Sequence, residues 1–274
     1  MNNKLRRSTL LASASTQGGS VDNGFYNPNP NYLTIVALED GLTASLSTND
    51  VEYSIDGNDN WTTLSAGTAS PAINKNHYIS FRGNLTPTSS KGIGTFTINK
   101  SCDLTGNCNS LLFGDNAADN NSLSGKDYAF YYLFRRCSTI RNVSSNFLPA
   151  TTLANYCYNR MFYNCTSLTT ALELPATTLA TYCYNYMFYN CTSLTTAPEL
   201  PATTLANGCY YYMFYGCRKL NYIKALFTTT PSSSYTSNWV SGVASSGIFV
   251  KNKNAAWNVT GTNGIPSGWT VKLV

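Results

Sequence analysis

The sequence predicts an α+β chain in two parts, a small antiparallel β-sandwich followed by a short solenoid of 26-residue repeats. The phrase Leu148-Pro149-Ala150-Thr151-Thr152-Leu153-Ala154 returns at 174–180 and again at 200–206, an offset of 26 each time. Within each copy Cys157, Tyr158, Met161, Phe162 and Cys165 recur as Cys183, Tyr184, Met187, Phe188 and Cys191, then as Cys209, Tyr210, Met213, Phe214 and Cys217. Upstream, short β-prone runs alternate with turn signals such as Asp40-Gly41, Asp56-Gly57-Asn58 and Arg82-Gly83-Asn84. A period in the twenties with fixed Leu, Phe and Cys marks one supersecondary unit per copy, which buries its apolar face only by stacking on its neighbours.

Residues 1–31 read as an extended arm. Lys4, Arg6 and Arg7 precede Leu10-Leu11-Ala12, but this apolar run is shorter than the h-region of a signal peptide. The arm has no core of its own, so its expected role is to anchor the chain to a larger assembly. Residues 32–107 supply the sandwich, through strand-like runs at 32–36, 43–46, 51–55, 78–81 and 94–98. The solenoid follows over 108–245 and a C-terminal cap over 246–274.

In each copy the Ser167 to Leu174 stretch, ended by Pro175, reads as a short strand. Such strands would stack at roughly 4.8 Å per coil. Thr177-Thr178 then caps a helical or 3₁₀ turn, and Cys183, Met187 and Phe188 fall on one helical face. Two degenerate copies close the array: 127–140 aligns with 155–168 at an offset of 28, and Trp239 to Val243 aligns with Met213 to Cys217 at 26.

The phrase Phe-Tyr-Asn-Cys-Thr-Ser-Leu-Thr-Thr-Ala-Pro-Glu-Leu-Pro at 188–201 resembles the BspA-like leucine-rich repeats found in surface proteins of gut bacteria and in some of their phages. The resemblance covers about residues 120–245. It implies a leucine-rich-repeat solenoid, surface display, adhesion and partner binding, with no shared catalytic site. The longer second half of this chain's repeat departs from the commoner, shorter form.

Most catalytic chemistry lacks its residues. The one histidine, His77, sits in a strand-like run, so any Ser-His-Asp or Cys-His arrangement would depend on it alone. Glu173 and Glu199 recur at equivalent places, as a surface ladder does and a glycosidase pair does not. Asp115 and Asp119, among Asn116, Asn120 and Asn121, do not have the spacing of an EF-hand and read as a polar turn. Gly92-Ile93-Gly94 leads into a strand, which rules out a phosphate loop. Neither a cofactor nor a metal site is expected.

Six of the nine cysteines occupy two repeat positions, eight residues apart within a copy, unlike zinc ligands. They read as buried free thiols, and the odd total points to folding in a reducing compartment. The net charge of +5 includes three basic groups of the arm, and the clear copies carry only Arg160, Glu173 and Glu199, so no nucleic-acid stripe exists. No segment reaches the roughly 20 apolar residues of a membrane span.

What varies between copies is Asn155, Thr181, Asn207; Tyr156, Tyr182, Gly208; Arg160, Tyr186, Tyr212; and Asn164, Asn190, Gly216. Tyr, Asn and Gly are the residues of binding loops. Tyr156, Arg160, Tyr182, Tyr186 and Tyr212 are therefore the candidate binding face, the alternative being aromatics that shield coil edges. The expected function is non-enzymatic recognition: a phage virion protein, such as a head or tail fibre or capsid decoration, assembled in the host cytoplasm and displayed on the virion surface. It would bind host surface glycan or protein, contact other virion proteins through Lys4, Arg6 and Arg7, and be compatible with a homo-oligomer. A bacterial cell-surface adhesin is the alternative, and a polysaccharide depolymerase the third reading.

Overall fold

The computed structural model describes residues 20–22, 25–170 and 172–274. The basic residues Lys4, Arg6 and Arg7 lie outside them. A hairpin of β1 (Ser20–Asp22) and β2 (Phe25–Asn27) comes first. A six-stranded sheet follows, built from β3 (Leu33–Ala37), β5 (Val51–Ile55), β6 (Thr62–Leu64), β7 (Tyr78–Arg82), β9 (Cys102–Thr105) and β10 (Ile140–Val143) in the order β10-β9-β3-β7-β5-β6. β4 (Ala44–Leu46) and β8 (Phe96–Ile98) pair separately. The buried residues of β3, all five of them, read as an unbroken apolar and Thr run because the strand is covered on both faces.

This corrects the predicted fold class. The sheet is not an antiparallel sandwich: β10 runs parallel to β9, with Ile140 opposite Cys102. Nor does a leucine-rich-repeat solenoid with strand and helical halves form. The one α-helix among the described residues is α1 (Ser110–Phe113), and the segment expected as a strand at 167–174 contributes a single parallel bridge, Thr170 to Thr196. No described helix is long and apolar enough to cross a membrane.

What replaces the helical half is a chain of tight turns. The N–H groups of Cys157, Asn159, Met161, Tyr163 and Cys165 donate to carbonyls three residues back, whereas those of Tyr156, Tyr158, Arg160, Phe162 and Asn164 donate to Thr181, Cys183, Asn185, Met187 and Tyr189 of the next copy. An α-helix would spend every N–H internally. Here alternate groups reach outward, so each copy is completed only by its neighbour. Tyr156, Arg160 and Asn164 have φ of 57°, 57° and 60°. Each stands third in a four-residue turn, where a type II turn demands a left-handed residue. Tyr182, Tyr186 and Asn190 repeat this at 53°, 54° and 55°, and Gly208, Tyr212 and Gly216 at 60°, 51° and 72°.

The turns aim Tyr158 and Phe162 inward, into two buried columns. Phe130, Tyr158, Tyr184 and Tyr210 stack at 5.6, 5.8 and 6.1 Å between ring centroids, and Phe134, Phe162, Phe188 and Phe214 at 5.5, 5.7 and 5.8 Å. Phe96 of β8 stacks on Phe134 at 5.5 Å, so the core continues from the sheet into the repeats. At the far end Trp239 caps both columns. The chain closes with parallel strands β11 (Tyr222–Ala225), β12 (Ile248–Lys251) and β13 (Thr270–Leu273).

All nine cysteines are free and buried. The second thiol of each copy donates backwards: Cys165 to the Phe134 carbonyl at 3.1 Å, Cys191 to Phe162 at 3.2 Å and Cys217 to Phe188 at 3.0 Å. Cysteine suits the position because it packs as a small apolar group and still supplies a weak donor. Burial pushes the Cys217 thiol up to about 12, which keeps it protonated as that donation requires. The hydroxyls of Tyr158, Tyr184 and Tyr210, in contrast, are buried with no hydrogen-bond partner among the described residues. An unsatisfied buried hydroxyl costs about 1–3 kcal/mol. Tyr184→Phe is therefore expected to leave the urea unfolding midpoint unchanged or raise it; a clear fall would mean that the hydroxyl is bonded.

Candidate functional site

All five sequence-predicted residues, Tyr156, Arg160, Tyr182, Tyr186 and Tyr212, occupy left-handed turn positions and are half-buried on the outer side of the repeats. The structure distributes them over two columns. In the first, Tyr128, Tyr156 and Tyr182 stack at 4.6 and 5.0 Å with planes within 12°. The column ends over Gly208, where an added Cβ would stand 2.2 Å from the Tyr182 ring. In the second, the Arg160 guanidinium lies 5.6 Å from the Tyr132 ring and 4.6 Å from Tyr186, and Tyr186 stacks on Tyr212 at 4.6 Å. Asn238 Nδ2 closes the column on the Tyr212 hydroxyl at 3.3 Å.

A third column, Tyr163, Tyr189 and Tyr215 at 4.7 and 4.8 Å, flanks the second. Comparison between copies passes over it because these tyrosines never vary, and invariance suggests core. Its signal is the Tyr-Asn or Tyr-Gly pair before the second cysteine of each copy. Tyr128, Tyr132 and Arg135, in the first degenerate copy, also join the face. The Arg135 guanidinium lies 4.7 Å from the Tyr132 ring.

Because rings stack on rings, their faces are engaged. What the surface offers is ring edges, hydroxyls and guanidinium N–H groups, so a sugar would meet a hydrogen-bonding array and not an open aromatic plate. Burial raises the Tyr131 and Tyr186 phenols above their ordinary values, reinforced for Tyr131 by Tyr132 and for Tyr186 by Tyr212, and the hydroxyls stay protonated donors. Arg160 Nη1 donates to the hydroxyls of Tyr131 at 3.2 Å and Tyr132 at 3.1 Å.

Other polar groups are engaged elsewhere. His77 is exposed and precedes β7, with Nδ1 against Asp56 Oδ2 at 2.5 Å, and Asp56 Oδ1 accepts from the Tyr78 N–H. Asp56 and Tyr78 border a cleft of about 470 Å³ lined also by Pro28, Asn29, Pro30, Asn31 and Gly57, which adds no further titratable group beside them. Asp115 accepts from the Tyr32 hydroxyl and from Arg82 Nη1, and both lower its carboxyl. Glu199 pairs with Lys224 at 2.9 Å. No group of three His, Cys, Asp or Glu among the described residues is arranged to hold a metal.

No protein-family model, no curated protein and no solved structure matches the chain.

Proposed function

We propose that this is a non-enzymatic recognition protein displayed on a particle surface, a phage virion protein whose tyrosine-arginine face binds bacterial surface glycan or protein. The observation that carries the reading is the coincidence of outward display with strain. A non-glycine residue in the left-handed region costs about 1–2 kcal/mol, yet Tyr or Arg stands there at five positions of the clear copies while Gly208 and Gly216 stand at two equivalents. A coil edge needing only shielding has less reason to bear that cost. Nine free buried thiols support assembly in a reducing cytoplasm before release. The Phe188 to Pro201 phrase, with its resemblance to bacterial surface proteins, favours a cell-surface adhesin as the second reading. Co-purification with capsids or with cell envelopes separates the two.

The test of recognition is the double variant Tyr186→Asn, Tyr212→Asn, assayed for binding to a panel of intact gut bacteria. Asn tolerates the left-handed region, so relief of strain offsets the lost stack of about 0.5–1.5 kcal/mol and the melting temperature should hardly move. Binding should weaken by about 1 kcal/mol or more per site, the scale of aromatic hot spots. Unchanged adhesion would assign the tyrosines to packing.

A further inference from the structure

We infer that the first two copies carry a subsite for an anionic polysaccharide, centred on Arg160 and Arg135; this deepens the recognition reading and rests on it. Arg160 takes the place of a ring in its column, between Tyr132 and Tyr186, and its Nη1 is tied to the Tyr131 and Tyr132 hydroxyls. Arg135 lies against Tyr132 at 4.7 Å and Tyr163 at 5.9 Å, through ring contacts alone. None of the four ion pairs among the described residues involves either arginine. The nearest acidic residues in sequence are committed or remote in the repeat: Asp127 accepts the Asn155 N–H, and Glu173 and Glu199 stand exposed between buried residues just before Pro175 and Pro201, Glu199 paired with Lys224.

Two guanidinium groups are thus held in place by phenols that do not neutralise them. A guanidinium presents five donors in a fixed fork matched to carboxylate geometry. Stacking fixes its plane, so little rotamer entropy is lost when an acid binds. Phenol hydroxyls beside it can bond to neutral sugar oxygens. Together they suit a carboxylated glycan chain, with the acid group on the arginines and the neutral hydroxyls on Tyr131, Tyr163 and Tyr186.

The experiment is affinity electrophoresis in polygalacturonate and in its methyl ester, which keeps the backbone and removes the charge. Wild type should be retarded by the acid and not by the ester, and the retardation should weaken with added salt. Arg160→Gln should weaken binding to the acid by about tenfold or more, the scale of a lost charge-assisted bond. Arg135→Gln should act in the same direction, and because that side chain makes ring contacts only, it serves if Arg160→Gln unfolds. Lys75→Gln and Lys253→Gln, at exposed basic positions outside the face, should change nothing. Equal loss in the lysine variants, or no binding to the acid, overturns the inference. Equal binding of acid and ester, lost on Tyr212→Asn, overturns it while leaving the recognition reading intact.

Discussion

Phe188→Ala is expected to lower the unfolding free energy by about 3–5 kcal/mol, the cost of truncating an enclosed Phe. The ring is fully buried, stacked on Phe162 at 5.7 Å and on Phe214 at 5.8 Å. Its removal therefore strips a face from both neighbours and opens a void mid-column. The main-chain N–H of Phe188 also donates to Met213, and the Phe162 carbonyl receives the Cys191 thiol, so collapse around the void would drag bonds on both sides. Urea denaturation followed by tyrosine fluorescence measures this. A midpoint within experimental error of wild type would contradict the column.

Gly106→Ala should be comparably damaging, on the order of 3 kcal/mol or more, for a different reason. Gly106 follows β9 with φ of 79°, and a Cβ there would stand 1.8 Å from the Tyr32 carbonyl oxygen and 2.7 Å from that of Asn29. Both obstacles are backbone atoms of the segment entering β3, and the β3 to β9 ladder begins beside them at Thr34 and Thr105. Relief would have to part the central strands of the sheet. Gly67→Ala is the control, since Gly67 has φ of 74° but open space around it. It should cost only about 1 kcal/mol of torsional strain. Similar losses in both variants would mean that torsion, and not the collision, dominates.

Much of the sheet was legible locally. β5 lies where its β-prone run predicts, Val51 to Ile55, and β3 and β7 within a residue of theirs. β9 and β10 were not, because their pairing joins segments 35 or more residues apart and runs of four residues, Cys-Asp-Leu-Thr and Ile-Arg-Asn-Val, are too short to stand out from the turns around them. The repeat period is plain in the sequence, but the local conformation of each copy is not. Cys157, Met161 and Cys165 recur every four residues, close enough to 3.6 to pass for a helical face over so short a span. The contrary signal was Gly208 and Gly216, aligned with Tyr156 and Asn164: Gly standing in for Tyr at one position and for Asn at another marks left-handed residues. At the candidate site the residues were legible, whereas the engagement of their ring faces was not, because stacking between copies depends on the rotation from one turn to the next.

The left-handed turns also restrict which residues the outer face can carry. A side chain branched at Cβ is excluded from such a torsion, so Val, Ile and Thr cannot enter these positions, however useful their chemistry. The three copies use Tyr, Arg, Asn and Gly there and nothing else. Diversification of this surface is thus confined to a small alphabet of unbranched, planar or absent side chains, and any new specificity must be spelled with those letters.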